Sequence, residues 1–133
     1  MKTARQLDRE IADLRERDRL RQRVQKLLDK WQPILGVTVS EFRIKKMRAF
    51  GSLNLPERRL WISQSLATMS PADLEYVVVH ELAHLLVGEE KGSGHDDRFY
   101  TVMDHHLPSW RRRHARLHAD GVIAQSLPGM DRR

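Results

Sequence analysis

Within EYVVVHELAHLLVGEEKGSGHDD, residues 75–97, two histidines stand four apart and a glutamate directly follows the first. On a helix this spacing puts His80 and His84 one turn apart on one face, so both ring nitrogens can converge on one ion. Zinc takes imidazole nitrogen at about 2.0–2.1 Å, and a catalytic site uses three protein ligands, leaving a fourth position to water. Glu81 borders the same face and can reach that water as a general base without being a ligand. The chemistry such a set could do is metal-assisted hydrolysis, with one zinc ion per chain.

A third ligand must come from elsewhere. His95 follows GEEKGSG, where Gly88, Gly92 and Gly94 free the chain to turn back and present a side chain at the start of a following helix. Asp96 and Asp97 are rivals for the position. Glu89 and Glu90 sit at the end of the same helix and should point away from the histidine pair. His114 and His118 are also four apart, in RRRHARLH, but lack the glutamate and lie among arginines that would repel a dication. They read as a solvated helix face.

The elements that must position these residues are legible around them. SPADLEYVVVHELAHLLVG opens with Ser70 as N-cap, Pro71 at the first helical position and Asp73 at the third, and Gly88 is a suitable stop. Leu74, Val77, Val78, Leu82, Leu85 and Leu86 leave little polar surface, so this helix should lie in the core. His80, Glu81 and His84 are its polar exceptions, and burying them is costly unless they are paired or coordinate an ion. Upstream, Leu7, Ile11, Leu14, Val24, Leu27, Leu28 and Trp31 recur at threes and fours, which predicts one long amphipathic helix over residues 3–31. Its stripe thins at Asp18, and its first half can project or self-associate. VTVSEFRI reads as strand with a phase change between Val39 and Phe42, and GSLNLPERRLWIS as a hairpin turning at residues 56–59. The expected organisation is a helical arm (1–30), one compact domain (31–120) and a tail (121–133).

Bulk properties set limits. The chain has 133 residues, 40% hydrophobic and 32% charged, enough for one modest core. It has no cysteine, which removes disulfides and thiolate zinc sites. No apolar run approaches ~18 residues and the N-terminus has no apolar leader, so a cytoplasmic protein that does not cross a membrane is expected. Net charge is +6 and the sequence pI about 10.2. The first thirty residues mix ten Lys/Arg with six Asp/Glu. By contrast Arg43, Lys45, Lys46 and Arg48 form a wholly basic cluster, and Arg111, Arg112 and Arg113 with Arg116 form a second. Both read either as solvated faces or as contacts to a polyanion such as DNA.

Two stretches carry a family resemblance: KKMRAFGSLNLPERRLWISQSLATMSPADLEYVVVHELAHLL and GHDDRFYTVMDHHLPSWRRRHARL. Over about Trp31 to Leu117 the chain resembles the YgjP-like zinc metallopeptidases, which are related to SprT-like proteases. It departs from their strand motif at Phe50 and Leu53, where tryptophan and cysteine are usual, but keeps Gly51 and Ser52. Its loop before the third histidine is longer. The resemblance implies an α+β, zincin-like fold: a small antiparallel sheet on the active-site helix, an edge strand beside the zinc, and C-terminal helices. It implies His80, His84 and His95 as zinc ligands, Glu81 as catalytic acid/base, and Phe99 and Tyr100 as the aromatic pair packing that segment on the core. A peptide or protein substrate follows. SprT-like relatives act on DNA-bound proteins, so the competing expectation is a DNA-associated zinc protein, catalytic or not.

Overall fold

The computed structural model describes residues 1–88 and 97–119. His95 and Asp96, with Glu89 and Glu90, therefore lie outside the described residues, as does the segment 121–133.

Helix α1, Ala4–Leu35, starts at a capping box: the Gln6 amide donates to Thr3 Oγ1 at 3.1 Å and the Thr3 amide to Gln6 Oε1 at 2.7 Å. It continues one turn beyond the expected stop at Trp31. Pro33 removes one backbone donor there, but Trp31 and Leu35 are both buried and hold the last turn against the core. Gly36, at φ +72°, ends it in the left-handed region and donates to the Gln32 carbonyl at 2.8 Å. Leu20, Val24, Leu28, Trp31 and Leu35 form the buried stripe, whereas Leu7, Ile11 and Leu14 lie exposed.

The strands are β1 (Glu41–Lys45), β2 (Gly51–Asn54) and β3 (Arg59–Ser63), in the order β1-β3-β2. The hairpin pairs as expected: β2 is antiparallel to β3, with Gly51 opposite Ile62 and Leu53 opposite Leu60. Its turn places Arg58 at φ +59° and is tied by the Glu57 amide donating to Asn54 Oδ1 at 3.1 Å. The sheet as a whole is mixed, however, because β1 runs parallel to β3, with Phe42 opposite Leu60 and Ile44 opposite Ile62. The strand with two fully buried aliphatics, Leu60 and Ile62, takes the centre, and the connection 46–50 carries the chain past it. The phase change in VTVSEFRI resolves into one strand, Glu41–Lys45, preceded by Ser40, whose amide donates to the Arg58 carbonyl.

A 3₁₀ turn at Gln64–Thr68, not foreseen from the sequence, leads into helix α2, Pro71–Val87. Two arginines of α1 clamp this approach: Arg17 donates to Gln64 Oε1 at 3.0 and 3.2 Å, and Arg23 to the carbonyls of Ala67 and Met69 at 3.1 and 2.8 Å. Helices α3 (Asp97–His106) and α4 (Trp110–Ala119) complete the described chain. α2 lies centrally, packed by α1, α3, α4 and β2. Twelve of its seventeen residues are buried, as its apolar run predicts. Among the described residues no helix is long and apolar enough to cross a membrane.

Candidate metal centre

The start of α2 is fixed by Ser70, whose Oγ accepts from the Asp73 amide at 3.2 Å, with Pro71 following. Asp73 is itself buried and bonded to Arg116, with Arg113 at 3.9 Å, which ties α4 to the first turn of α2. From this start, helical geometry alone sets the phase of His80, Glu81 and His84.

His80 is fully buried, His84 partly so, and their ring centroids lie 4.9 Å apart with planes inclined by 72°. Phe99 of α3 stacks on His84 at 4.6 Å and meets His80 edge-on at 5.1 Å. Tyr76, one turn before His80, meets it edge-on at 5.7 Å, and its hydroxyl is hydrogen-bonded to His114 Nδ1 at 3.1 Å. Burial pushes the Tyr76 phenol well above its ordinary range, and the Glu81 carboxylate adds to the effect. The imidazole pair is thus walled by aromatic rings that fix its orientation.

Glu81 is turned towards the sheet. A Cβ at Gly51 would stand 3.4 Å from Glu81 Cγ and Oε2 and 3.2 Å from the Trp61 carbonyl oxygen. β2 therefore runs against the carboxylate at van der Waals separation, and a side chain at 51 would crowd the Trp61 carbonyl oxygen. Oε2 is buried and has no hydrogen-bond partner among the described residues. Burial pushes the Glu81 pKa up to about 7.

These features fit a divalent ion: two imidazoles one turn apart on one face, both ring nitrogens of the first buried, and a buried carboxylate on the residue that follows it. Of the expected ligands His80 and His84 come together, and among the described residues no third histidine, aspartate or glutamate completes a metal-binding group. Asp97, one rival for the third position, is exposed at the start of α3. The expected ligand, His95, and the other rival, Asp96, fall outside the described residues.

The remaining candidates are dispersed. Arg43 and Lys45 point outward from β1, and Lys46 Nζ stands 3.9 Å from Asp13. Arg48 is exposed in the connection between β1 and β2. Arg111 pairs with Asp104 at 3.4 Å and lies 4.5 Å over the Trp110 ring, Arg113 faces Asp73, and Arg112 is exposed. Sequence reasoning missed two supports of the site. Tyr76 was not singled out on α2, and His114 was read as solvated, although it is partly buried and bonded to Tyr76. The four-residue step from Tyr76 to His80 was the available signal. Phe99 is buried and Tyr100 stacks on Trp110 at 5.9 Å, so the aromatic pair does pack α3 onto the core.

A central helix bearing the histidine pair, beneath a small sheet and backed by further helices, is a zincin-like α+β fold. The chain belongs to the YgjP-like family, whose metallopeptidase domain matches residues 2–120. Among solved structures it is similar to the metallopeptidase zymogen abylysin of Pyrococcus abyssi, with 19% identity, a TM-score of 0.63, and 73% of this chain and 93% of that one covered. It is also similar to the metallopeptidase zymogen jannalysin of Methanocaldococcus jannaschii, with 14% identity, a TM-score of 0.63, and 74% and 97% covered. None of the curated proteins matches the chain.

Proposed function

We propose that this metallopeptidase domain hydrolyses peptide bonds with one zinc ion held by His80, His84 and His95, and with Glu81 as the acid/base. Zinc bound there would supply Lewis-acid polarisation of the scissile carbonyl and acidify the attacking water. The chain's own residues supply the rest. The rings of Phe99 and Tyr76 hold the two imidazoles in place. Glu81 takes a proton from the nucleophile and returns it to the leaving amine. Burial raises its pKa to about 7 in the metal-free protein, and a neighbouring cation would favour the carboxylate form that accepts the proton. β2, an edge strand directly over Glu81, offers unpaired main-chain groups to which an extended substrate can add.

One observation carries this reading: Glu81, the residue directly after His80, is buried, with Oε2 making no hydrogen bond to any described residue. A structural ion would not need that group. The test is Glu81→Gln, assayed for peptide hydrolysis alongside metal content by mass spectrometry. The variant should keep its fold and its zinc and lose turnover by at least ~100-fold; wild-type turnover would refute the role of Glu81. His80→Ala, His84→Ala and His95→Ala should each lose the ion. Zinc retained by His95→Ala would move the third ligand to Asp96 or Asp97.

A further inference from the structure

The three-stranded sheet has a second face, which the peptidase reading does not use. Strand alternation turns Leu60 and Ile62 inward to full burial and leaves Trp61 half-exposed on the opposite side. The other two tryptophans, Trp31 and Trp110, are buried. Around Trp61 the register assembles cations: Arg43 lies directly across from it on β1, Lys45 two residues further along, and Arg59 two residues before it on β3. Lys45 Nζ stands 4.0 Å over the Trp61 ring centroid. Glu41, at the end of this row, takes Arg43 at 3.2 Å and Arg59 at 3.0 Å, which links the two side chains across the strands. A depression of about 440 Å³ is lined by these five residues and Ile44.

We propose that this outer face binds single-stranded nucleic acid, with one base stacked on Trp61 and the neighbouring phosphates held by Arg43, Lys45 and Arg59. Three cations stand against two carboxylates, Glu41 and Glu57, the latter taking Arg59 at 2.9 Å, which leaves the face net positive by one on a chain of net charge +6. Stacking on an indole needs no particular base, and base–aromatic stacking outweighs an exposed cation–π contact, so Lys45 yields the ring and moves to a phosphate. A duplex would present its phosphates but keep its bases inside, leaving the ring unused. The site lies on the opposite side of the sheet from Glu81, which packs under Gly51, so occupation leaves the metal centre accessible. The proposal does not depend on the peptidase reading.

The test is fluorescence anisotropy of a labelled deoxythymidylate oligomer of about 20 nucleotides, titrated with the full chain over a salt series. With three phosphates contacted, the slope of log K against log salt should be about −2. Trp61→Ala should weaken binding roughly tenfold, while Trp61→Phe, which keeps a stacking ring, should stay within about threefold. In the unaltered chain the oligomer should quench tryptophan emission, and in Trp61→Phe the quench should vanish; this second readout holds even if Trp61→Ala does not fold. Lack of binding at about 50 mM salt would overturn the proposal. So would retained affinity in Trp61→Ala, which would indicate diffuse charge, or a duplex or polyglutamate competing as well as the oligomer.

Discussion

The buried Glu81 carboxylate makes a quantitative claim about the metal-free protein. Burial alone raises its pKa from the ordinary 4.5 to about 7. Below 4.5 the group is protonated folded or unfolded and has no effect on stability. Between the two values the native state holds a proton that the unfolded chain has released, so stability falls as pH rises. Above 7 both states are ionised and the full penalty is present. From about pH 5 to about pH 8 the loss is about 2.5 kcal/mol. Glu81→Gln cannot ionise and should show none of it. The assay is urea unfolding of the chelator-treated wild type and variant at both pH values. The gap in their midpoints should grow in the variant's favour by about 1 M from the lower pH to the higher. Comparing the two proteins cancels the titration of His80 and His84, which both share. Added zinc should close most of the gap, since a neighbouring cation favours the carboxylate form. Parallel stability curves in the absence of metal would refute the assignment of Glu81 as a buried, uncompensated acid.

Other positions make independent claims. Gly51→Ala would place a methyl 3.2 Å from the Trp61 carbonyl oxygen and 3.4 Å from Glu81 Oε2, so kcat for peptide hydrolysis should drop roughly tenfold or more with metal content unchanged. Asp73→Ala removes the buried partner of Arg113 and Arg116, and urea unfolding should show a loss of about 1–2 kcal/mol, reduced because both arginines are partly exposed. Deleting residues 1–12 removes only exposed apolar residues, among them Leu7 and Ile11, and keeps Asp13 with its contacts to Gln64, Arg17 and Lys46, so the melting temperature should move by less than about 3 °C. A larger fall would show that the arm belongs to the domain's cooperative unit.

What was legible in the sequence follows from the range of the forces involved. Ser70, Pro71 and the apolar run to Val87 are local signals, and they placed α2 and the phase of His80, Glu81 and His84. The hairpin was equally local: a polar turn between two short apolar stretches. The parallel pairing of β1 with β3 was not, because which strand takes the centre depends on the burial competition among all three. Nor was the 3₁₀ turn, which Arg17 and Arg23 hold from forty-odd residues away. His114 was misread for the same reason. Its neighbours in sequence are arginines, while its partner in space is Tyr76 on another helix.

The close passage of β2 over Glu81 joins fold and chemistry in one contact. Glycine at 51 exposes backbone to the carboxylate, and the strand carrying it is an open edge of the sheet. A larger residue would crowd Glu81 and the Trp61 carbonyl oxygen; a central strand would have no free main-chain groups for a substrate. The mixed topology meets both demands. β3, between its neighbours, fills the core with Leu60 and Ile62, which leaves β2 at the edge over α2. The cost falls on stability, since a buried carboxylate destabilises the folded state when, as for Oε2 among the described residues, it lacks a hydrogen-bond partner. Under the proposed mechanism the base would owe its raised pKa to the same burial that weakens the metal-free fold, and a cation at His80 and His84 would lessen that cost.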